Sequence, residues 1–410
     1  MKKHNIGDLY QMQSLPLKHK ITMTIQRVNG WLNHWDDNCY ISFSGGKDST
    51  VLVDIIHNKM GRKDIPLVFC DTGLEYPEIR EFVKSYGDRV TWLKPKMNFK
   101  QVIEKYGYPF ISKEVSEAVC SARKYLTKLE NQQTVLTDRQ TDRQTIPHAH
   151  FMADLLGIER RKKGVKLEDY EALKKGIIPS GIENMPTRVQ ALFGKVPHKE
   201  KGKLTNEYSK RYDKSRYQFF LDAPFEIDNS CCKVMKKEPM HRYAKETGRK
   251  AITAQMASES RLRTEKWLQH GCNGFDMKEP ISNPMAFWTE QDVLAYIKIN
   301  NVKIAPVYGE VIEDCGEDGI DGQMRFDELD PSFGIFDLGV PLLKTTGCNR
   351  TGCMFCGYGC HMSEDDRFVR MKETHPKQYE YIMKPWEEGG LNYKEIIDWI
   401  NEHGNMNIRY

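Results

Sequence analysis

Apolar residues recur along this chain in two rhythms, and their alternation predicts most of its elements. Between residues 17 and 35, Ile21, Ile25, Val28, Trp31 with Leu32, and Trp35 fall at three- and four-residue spacing, one face of a helix. A short β-like run from Tyr40 to Phe43 follows. It gives way to Ser44-Gly45-Gly46-Lys47-Asp48-Ser49-Thr50, then to a helix-period segment with Val51, Leu52, Ile55 and Ile56. Ile65-Pro-Leu-Val-Phe-Cys70 reads as a second buried strand, closed by Asp71-Thr72-Gly73 and followed by a helix to about Tyr86. Third and later strands are expected at Arg89-Val-Thr-Trp-Leu93 and Ala251-Ile-Thr-Ala-Gln255. Strand, helix and strand in turn, with short connections, specify the α/β class with a doubly wound parallel sheet. Such sheets bind ligands beyond the carboxyl ends of their strands, so 44–50 and 71–73 are expected to face one crevice.

Further helices are expected at 112–130 and 148–157, from Thr289 onward, from Arg367 to Met383 and from Tyr393 to His403. Thr289 is a good N-cap, with Asp292 three positions on. Residues 137–145 hold a small local repeat of no evident role. The acidic, glycine-rich 310–334 reads as a surface loop, and its ligand order is wrong for an EF-hand. The expected division is a nucleotide-binding α/β domain over 1–310, with an insert at about 100–225. A C-terminal cysteine-rich metal knuckle with helices then fills 311–410.

Composition changes the picture in three places. With 39% hydrophobic and 29% charged residues, the chain reads as soluble and globular. No apolar run nears the roughly 20 residues that span a bilayer. No apolar segment follows the N-terminus as in a signal peptide, so a cytoplasmic protein without membrane attachment is expected. A net charge of +4, from 61 basic and 57 acidic residues, is too mild to imply nucleic acid alone. Eleven cysteines in such a chain point to metal or redox sulfur chemistry rather than a disulfide scaffold.

Chemistry concentrates at two stretches. At 44–50 a strand, a glycine turn and a helix N-terminus build an anion site, where amides and the helix dipole face a phosphate. It is not a Walker A loop, because Asp48 follows Gly46-Lys47 directly. At Cys348-Asn-Arg-Thr-Gly-Cys353-Met-Phe-Cys356-Gly-Tyr-Gly-Cys360-His361, cysteines on glycine turns read as a metal knuckle. Zinc suits a four-cysteine set, while the Cys348, Cys353 and Cys356 spacing echoes plant ferredoxins. Cys39, Cys70, Cys120, Cys272 and Cys315 read as structural. Between Lys195 and Arg216, basic residues interleave with Tyr208, Tyr212 and Tyr217. The stretch 195–217 is either a solvated loop, a cover over an anionic nucleotide, or a surface for a single-stranded nucleic-acid acceptor.

Ser-Gly-Gly-x-Asp-Ser at 44–49 resembles the pyrophosphate (PP) loop of the adenine-nucleotide alpha-hydrolase superfamily. Asp71-Thr72-Gly73 with the following Glu75 and Pro77-Glu78 is similar to the second nucleotide motif of the phosphoadenylylsulfate (PAPS) and adenylylsulfate (APS) reductases. Cys231-Cys232-Lys-Val-Met-Lys236-Lys-Glu-Pro239-Met240 resembles the Cys-Cys-x-x-x-Lys-x-x-Pro-Leu signature of the iron–sulfur APS reductases, with Met240 in place of Leu. The loop at 254–263 matches the family's arginine loop in Ser260 and Arg263, but Ala254 replaces its glycine and Met256 its first arginine. The likeness covers about 20–95, 228–310 and 345–360. It implies that Ser44 through Thr50, Asp71, Thr72, Gly73, Ser260 and Arg263 bind the nucleotide. It also implies that Cys231, Cys232, Cys353 and Cys356 hold one [4Fe–4S] cluster, with zinc as the alternative.

The implied activity takes one of two forms. In the first, as in the sulfur-inserting tRNA thiolases and the DNA-phosphorothioation subunit, ATP with magnesium adenylates an acceptor oxygen. A cluster-bound or cysteine-bound sulfur then replaces AMP, with a sulfur-donor protein among the implied partners. Lys47 would stabilise the departing pyrophosphate, Asp48 would position magnesium or a water, and Cys360 would carry sulfur. In the second, APS or PAPS is reduced to sulfite. That chemistry uses a Glu-Cys-Gly-Leu-His segment, whose nearest echo here is Gly359-Cys360-His361. A regulator that senses nucleotide or redox state without turnover is the reading of another class.

Overall fold

The computed structural model describes residues 3–125, 127, 185–200, 203–314 and 342–410. The helix expected at 148–157, the repeat at 137–145, the end of the 112–130 helix, Lys201, Cys315 and most of the acidic loop lie outside the described residues. By its contacts the chain forms two compact units, each discontinuous in sequence. One joins Met1–Phe99 to Lys233–Met354, and the other joins Lys100–Cys232 to Phe355–Tyr410. The boundary at 310 expected from the sequence is a different cut, made by composition rather than by contact.

The first unit holds the main sheet. β1 (Cys39–Ser42) lies near its middle and pairs in parallel with β2 (Leu67–Cys70) on one side. On the other side it pairs in parallel with Lys250–Ile252. β3 (Val90–Leu93) extends the sheet beyond β2. Ile281–Ser282 extends the opposite flank in parallel, and antiparallel Asn273–Gly274 forms that edge. Cys39, Ile41, Leu67 and Val68 are fully buried, as strands covered on both faces require. The α/β class and the parallel order expected from the sequence are therefore present.

Helices close both faces. α1 (Ile6–Gln13) begins with an Asn5 capping box, and α2 (Leu17–His34) buries Val28, Trp31 and Leu32, the stripe read from the sequence. α3 (Lys47–Val53) leaves the loop after β1 and continues as a π-helical segment, Asp54–Lys59. α4 (Pro77–Lys84) starts with proline at its first position. Thr289 caps the Glu290–Asn300 helix through a capping box with Asp292, as its sequence implies. Asp292 also receives Lys20 of α2 at 2.6 Å, an almost fully buried pair.

The second unit has a smaller framework. Phe110–Ile111 pairs in parallel with Gly357–Tyr358, and residues 113–125 are helical. Pro197–Glu200 pairs antiparallel with Lys203–Tyr208. Arg123 binds these segments together, donating to the carbonyls of Phe220 at 2.7 Å, Ala223 at 2.5 Å and Phe225 at 2.9 Å. The single helix expected from Arg367 to Met383 is two, Arg367–Thr374 and Pro376–Met383. Proline drives the residue before it out of the helical region, and His375 accordingly sits at φ −135°, ψ 60°. Tyr393–Gly404 closes the unit, with Tyr393, Ile397 and Ile400 fully buried.

Candidate nucleotide site and cysteine cluster

The loop after β1 takes its shape from hydroxyls and two glycines. Gly45 has φ 71°, and a Cβ there would meet Val83 and Ile79 of α4 at 2.7 and 2.8 Å. Only glycine fits both demands. Gly46 is the N-cap of α3, and its carbonyl accepts from Ser49 Oγ at 2.9 Å and Thr50 Oγ1 at 3.0 Å. Ser44 Oγ lies 3.0 Å from Ser49 Oγ. These bonds hold the turn with the start of α3 at the carboxyl end of β1.

Lys47 is buried, and its ammonium is 2.6 Å from the Asn349 carbonyl and 3.0 Å from Glu290 Oε1. Its backbone N–H donates to Tyr308 Oη at 3.2 Å. Burial pushes the Asp48 carboxyl above its ordinary range; Lys47 and Arg350 oppose the shift, and Glu290 adds to it. Asp48 Oδ1 is buried without a hydrogen bond among the described residues. That orphaned oxygen is a hard donor of the kind magnesium takes, on a carboxyl that Glu290 also acts upon.

At the end of β2, Asp71 accepts from Gly73 N at 3.2 Å and from Arg80 at 2.8 Å. Thr72 N and Oγ1 both donate to Glu75, at 3.0 and 2.8 Å. Between the ends of β1 and β2 lies a cleft of about 130 Å³ whose lining includes Ser44, Cys70, Glu75, Lys236, Met240 and Thr351. Lys236 stands 3.7 Å from Glu75, across this lining.

Residues 347–354 run over this region. Gly347 N and Cys348 N donate to the carbonyls of Tyr308 and Val307, each at 2.9 Å. Thr351 Oγ1 is 2.5 Å from Tyr308 Oη, and Met354 N donates to the Leu74 carbonyl at 2.8 Å. Glu290, Tyr308, Asn349 and Thr351 are thus neighbours of the loop that the sequence did not disclose. An acid in a helix first turn has an ordinary role with the dipole, so Glu290 carried no separate signal.

In the arginine loop, Ser260 caps the Arg261–His270 helix by accepting from Arg263 N at 3.4 Å. Arg263 pairs with Glu259. Its pKa is lowered first by burial and then by Arg350, while Asp48 acts in the opposite direction. Met256 is buried in the core, so the position expected to differ from the family pattern faces inward.

In the second unit, Cys231, Cys232 and Cys356 all act on the charge of Tyr358. The Tyr358 phenol is pushed up by burial and then by these three thiols, and its hydroxyl donates to the Asp228 carbonyl at 2.9 Å. Burial raises the Cys356 thiol, and Cys232 adds to the shift. Cys353, three residues ahead of Cys356, falls in the first unit. Among the described residues, no three His, Cys, Asp or Glu side chains are grouped to hold a single ion. Cys360 is buried and its thiol is pushed up to about 12, which keeps it protonated at neutral pH. Cys39, Cys120 and Cys272 are buried, and Cys70 donates to the Met235 carbonyl at 3.2 Å.

The basic stretch stacks on its own tyrosines. Lys195 lies over Tyr208 at 5.0 Å, Arg211 over Tyr212 at 5.4 Å and Arg216 over Tyr217 at 4.6 Å. Among the described residues, no helix is long and apolar enough to cross a membrane.

Comparison with known proteins adds three kinds of likeness. The family model described as the phosphoadenosine phosphosulfate reductase domain matches residues 38–148 and 189–358. An uncharacterized protein of Methanocaldococcus jannaschii is 36% identical over 101 residues, 23% of this chain and 24% of that protein. An adenosine 5'-phosphosulfate reductase of Neisseria meningitidis serogroup B is 32% identical over 115 residues, 27% of this chain and 44% of that enzyme. The chain thus spans less than half the length of each of these relatives. A crystal structure of phosphoadenylyl-sulfate (PAPS) reductase from Candida auris, a phosphate complex, aligns with 72% of this chain and 91% of that one. Its identity is 14% and its TM-score 0.31.

Proposed function

The chain belongs to the phosphoadenosine phosphosulfate reductase family, and from that premise we propose that it is an enzyme acting on an adenine nucleotide held at 44–50. The first reading is ATP-dependent adenylation coupled to sulfur transfer. One observation carries the preference for ATP: the buried, unbonded Asp48 Oδ1 at the phosphate loop, on a carboxyl that Glu290 also acts upon. Magnesium travels with ATP and takes carboxylate oxygens, whereas a sulfonucleotide needs no such ion.

An acceptor oxygen attacks the α-phosphorus, the bond to the β-phosphate breaks, and pyrophosphate leaves. The N-terminus of α3 and Lys47 face the charge that develops there. Lys47 must give up part of its bonding to Glu290 and the Asn349 carbonyl to do so. Sulfide then bonds to the activated carbon or phosphorus, and AMP leaves with the oxygen. When the sulfur comes from a cysteine persulfide, a second thiol must cleave the S–S bond and end as a disulfide with the donor cysteine. Asp71, Thr72 and Gly73 are proposed to hold the adenosine, and Arg263 the phosphates, with Ser260 fixing the helix that carries it.

Cys231, Cys232 and Cys356, with Cys353, are proposed to hold a [4Fe–4S] cluster. The support is that three of these soft sulfur donors, Cys231, Cys232 and Cys356, all act on the Tyr358 phenol. When bound, the cluster supplies a redox-capable iron–sulfur centre. A sulfur-carrying role for Cys360 requires that its burial be relieved. A nucleic-acid acceptor at 195–217 stands as the proposed partner surface, supported by exposed Tyr208 and Tyr212 among basic residues.

The second reading, thiol-dependent reduction of APS or PAPS to sulfite, is favoured by the adenosine 5'-phosphosulfate reductase relatives. Anaerobically purified chain incubated with Mg-ATP, APS or PAPS separates the two. Pyrophosphate release from ATP supports the first reading. Sulfite release from APS or PAPS, with no pyrophosphate from ATP under any acceptor tried, replaces it with the second.

A further inference from the structure

We propose that Arg350, beside Arg263, receives the distal tetrahedral anion of the bound adenine nucleotide and so sets which nucleotide the site prefers. The inference rests on the nucleotide reading above. Its starting point is where Arg350 is anchored. Asn349, before it, accepts from Lys47 Nζ at 2.6 Å through its carbonyl. Thr351, after it, shares a 2.5 Å hydrogen bond with Tyr308 Oη, which itself accepts from Lys47 N at 3.2 Å. Thr351 Oγ1 would also lie 3.6 Å from a Cβ built on Gly46. The backbone of Arg350 is therefore pinned to the phosphate loop on both sides.

The second observation is how the cations here are partnered. Lys47 is answered by Glu290 at 3.0 Å, and Arg263 by Glu259. Arg350 is exposed and makes no hydrogen bond or ion pair among the described residues. Its charge is one of the causes that lower the pKa of Arg263, after burial. Two arginines brought together beside a phosphate loop repel unless an anion enters between them. The planar guanidinium fork suits a phosphate or sulfate oxyanion, to which it can donate twice.

Besides Glu259, Asp48 is an opposing charge felt here, acting on Arg263, while Arg350 opposes the burial-driven rise of its own pKa. It forms no ion pair with either arginine among the described residues, and its free Oδ1 is available to the cation that accompanies a polyphosphate. The distal anion is then the sulfate of a phosphosulfate or the outer phosphates of ATP. Both are tetrahedral oxyanions, and the test distinguishes them.

Calorimetric titration of the full chain with AMP, Mg-ATP, APS and PAPS tests the assignment. In Arg350→Ala, AMP should bind as in the wild type. The preferred nucleotide with a distal anion should weaken roughly ten- to a hundredfold, the worth of one charge-assisted contact. Arg350→Lys should fall between, because it keeps the charge and loses the fork. Arg350→Gln repeats the test should the alanine variant fail to fold. Whichever of ATP, APS and PAPS shows the loss names the source of the anion. Equal weakening of AMP and the others, or no weakening, overturns the proposal while leaving the nucleotide reading intact. A wild-type chain that binds none of the four overturns both.

Discussion

Asp48 is the residue where the phosphate loop stores electrostatic tension. Its carboxyl is held above the ordinary value of 3.8, chiefly by burial. For an acid raised in the folded state, ionisation works against folding at every pH above that ordinary value. Asp48→Asn is therefore expected to be more stable than the wild type at pH 7. The advantage should fade as pH falls below 3.8, where the carboxyl is protonated both folded and unfolded. Urea denaturation of both proteins at pH 7 and near pH 3.5 checks this, and a variant less stable at pH 7 refutes it. The loop around Asp48 was legible in the sequence because its chemistry is local. Glycines at 45 and 46, hydroxyls at 44, 49 and 50 and a helix start are all read within seven residues. Tyr308 and Asn349 were not legible, since they reach Lys47 from hundreds of positions away, and no local pattern marks a long-range hydrogen bond.

Elements were legible in proportion to the length of their periodic pattern. The 18-residue α2 announced its buried face through Val28, Trp31 and Leu32. The two-residue strands Asn273–Gly274 and Ile281–Ser282 are too short to show a period, and they went unread. The break at His375 was readable from Pro376 but lay hidden inside an otherwise continuous apolar rhythm. The Glu290–Asn300 helix shows how a local signal can understate an element's anchoring. Its cap was expected, but Asp292 also holds Lys20 of α2, whose side chain is 3% exposed. Removing one partner of such a pair leaves a buried charge unanswered and costs about 3–5 kcal/mol. Thr289→Ala removes only the hydroxyl cap, with an expected loss of about 1 kcal/mol. Asp292→Ala should therefore destabilise the chain clearly more than Thr289→Ala, as read from urea midpoints. Equal effects would mean that the ion pair adds nothing beyond the cap.

At the scale of the whole chain, contact and sequence order part company. The sheet takes β1, β2 and β3 from before residue 100 and its other strands from after residue 233, so its unit is assembled across a long intervening segment. That segment and the C-terminal helices make the second unit, where Cys231, Cys232 and Cys356 act on the charge of Tyr358. The phosphate loop, Asp71, Arg263 and Arg350 all belong to the first unit. This separation makes a specific expectation for a cysteine variant. Cys356→Ser replaces a soft ligand by a poor one for iron, within a unit that holds none of the proposed nucleotide residues. Anaerobically purified Cys356→Ser should carry less iron and sulfide per chain than the wild type, while calorimetric affinity for the preferred nucleotide stays the same. Iron content equal to the wild type would remove Cys356 from the ligand set. Loss of iron accompanied by loss of nucleotide affinity would instead show that the two sites share one folding or binding equilibrium.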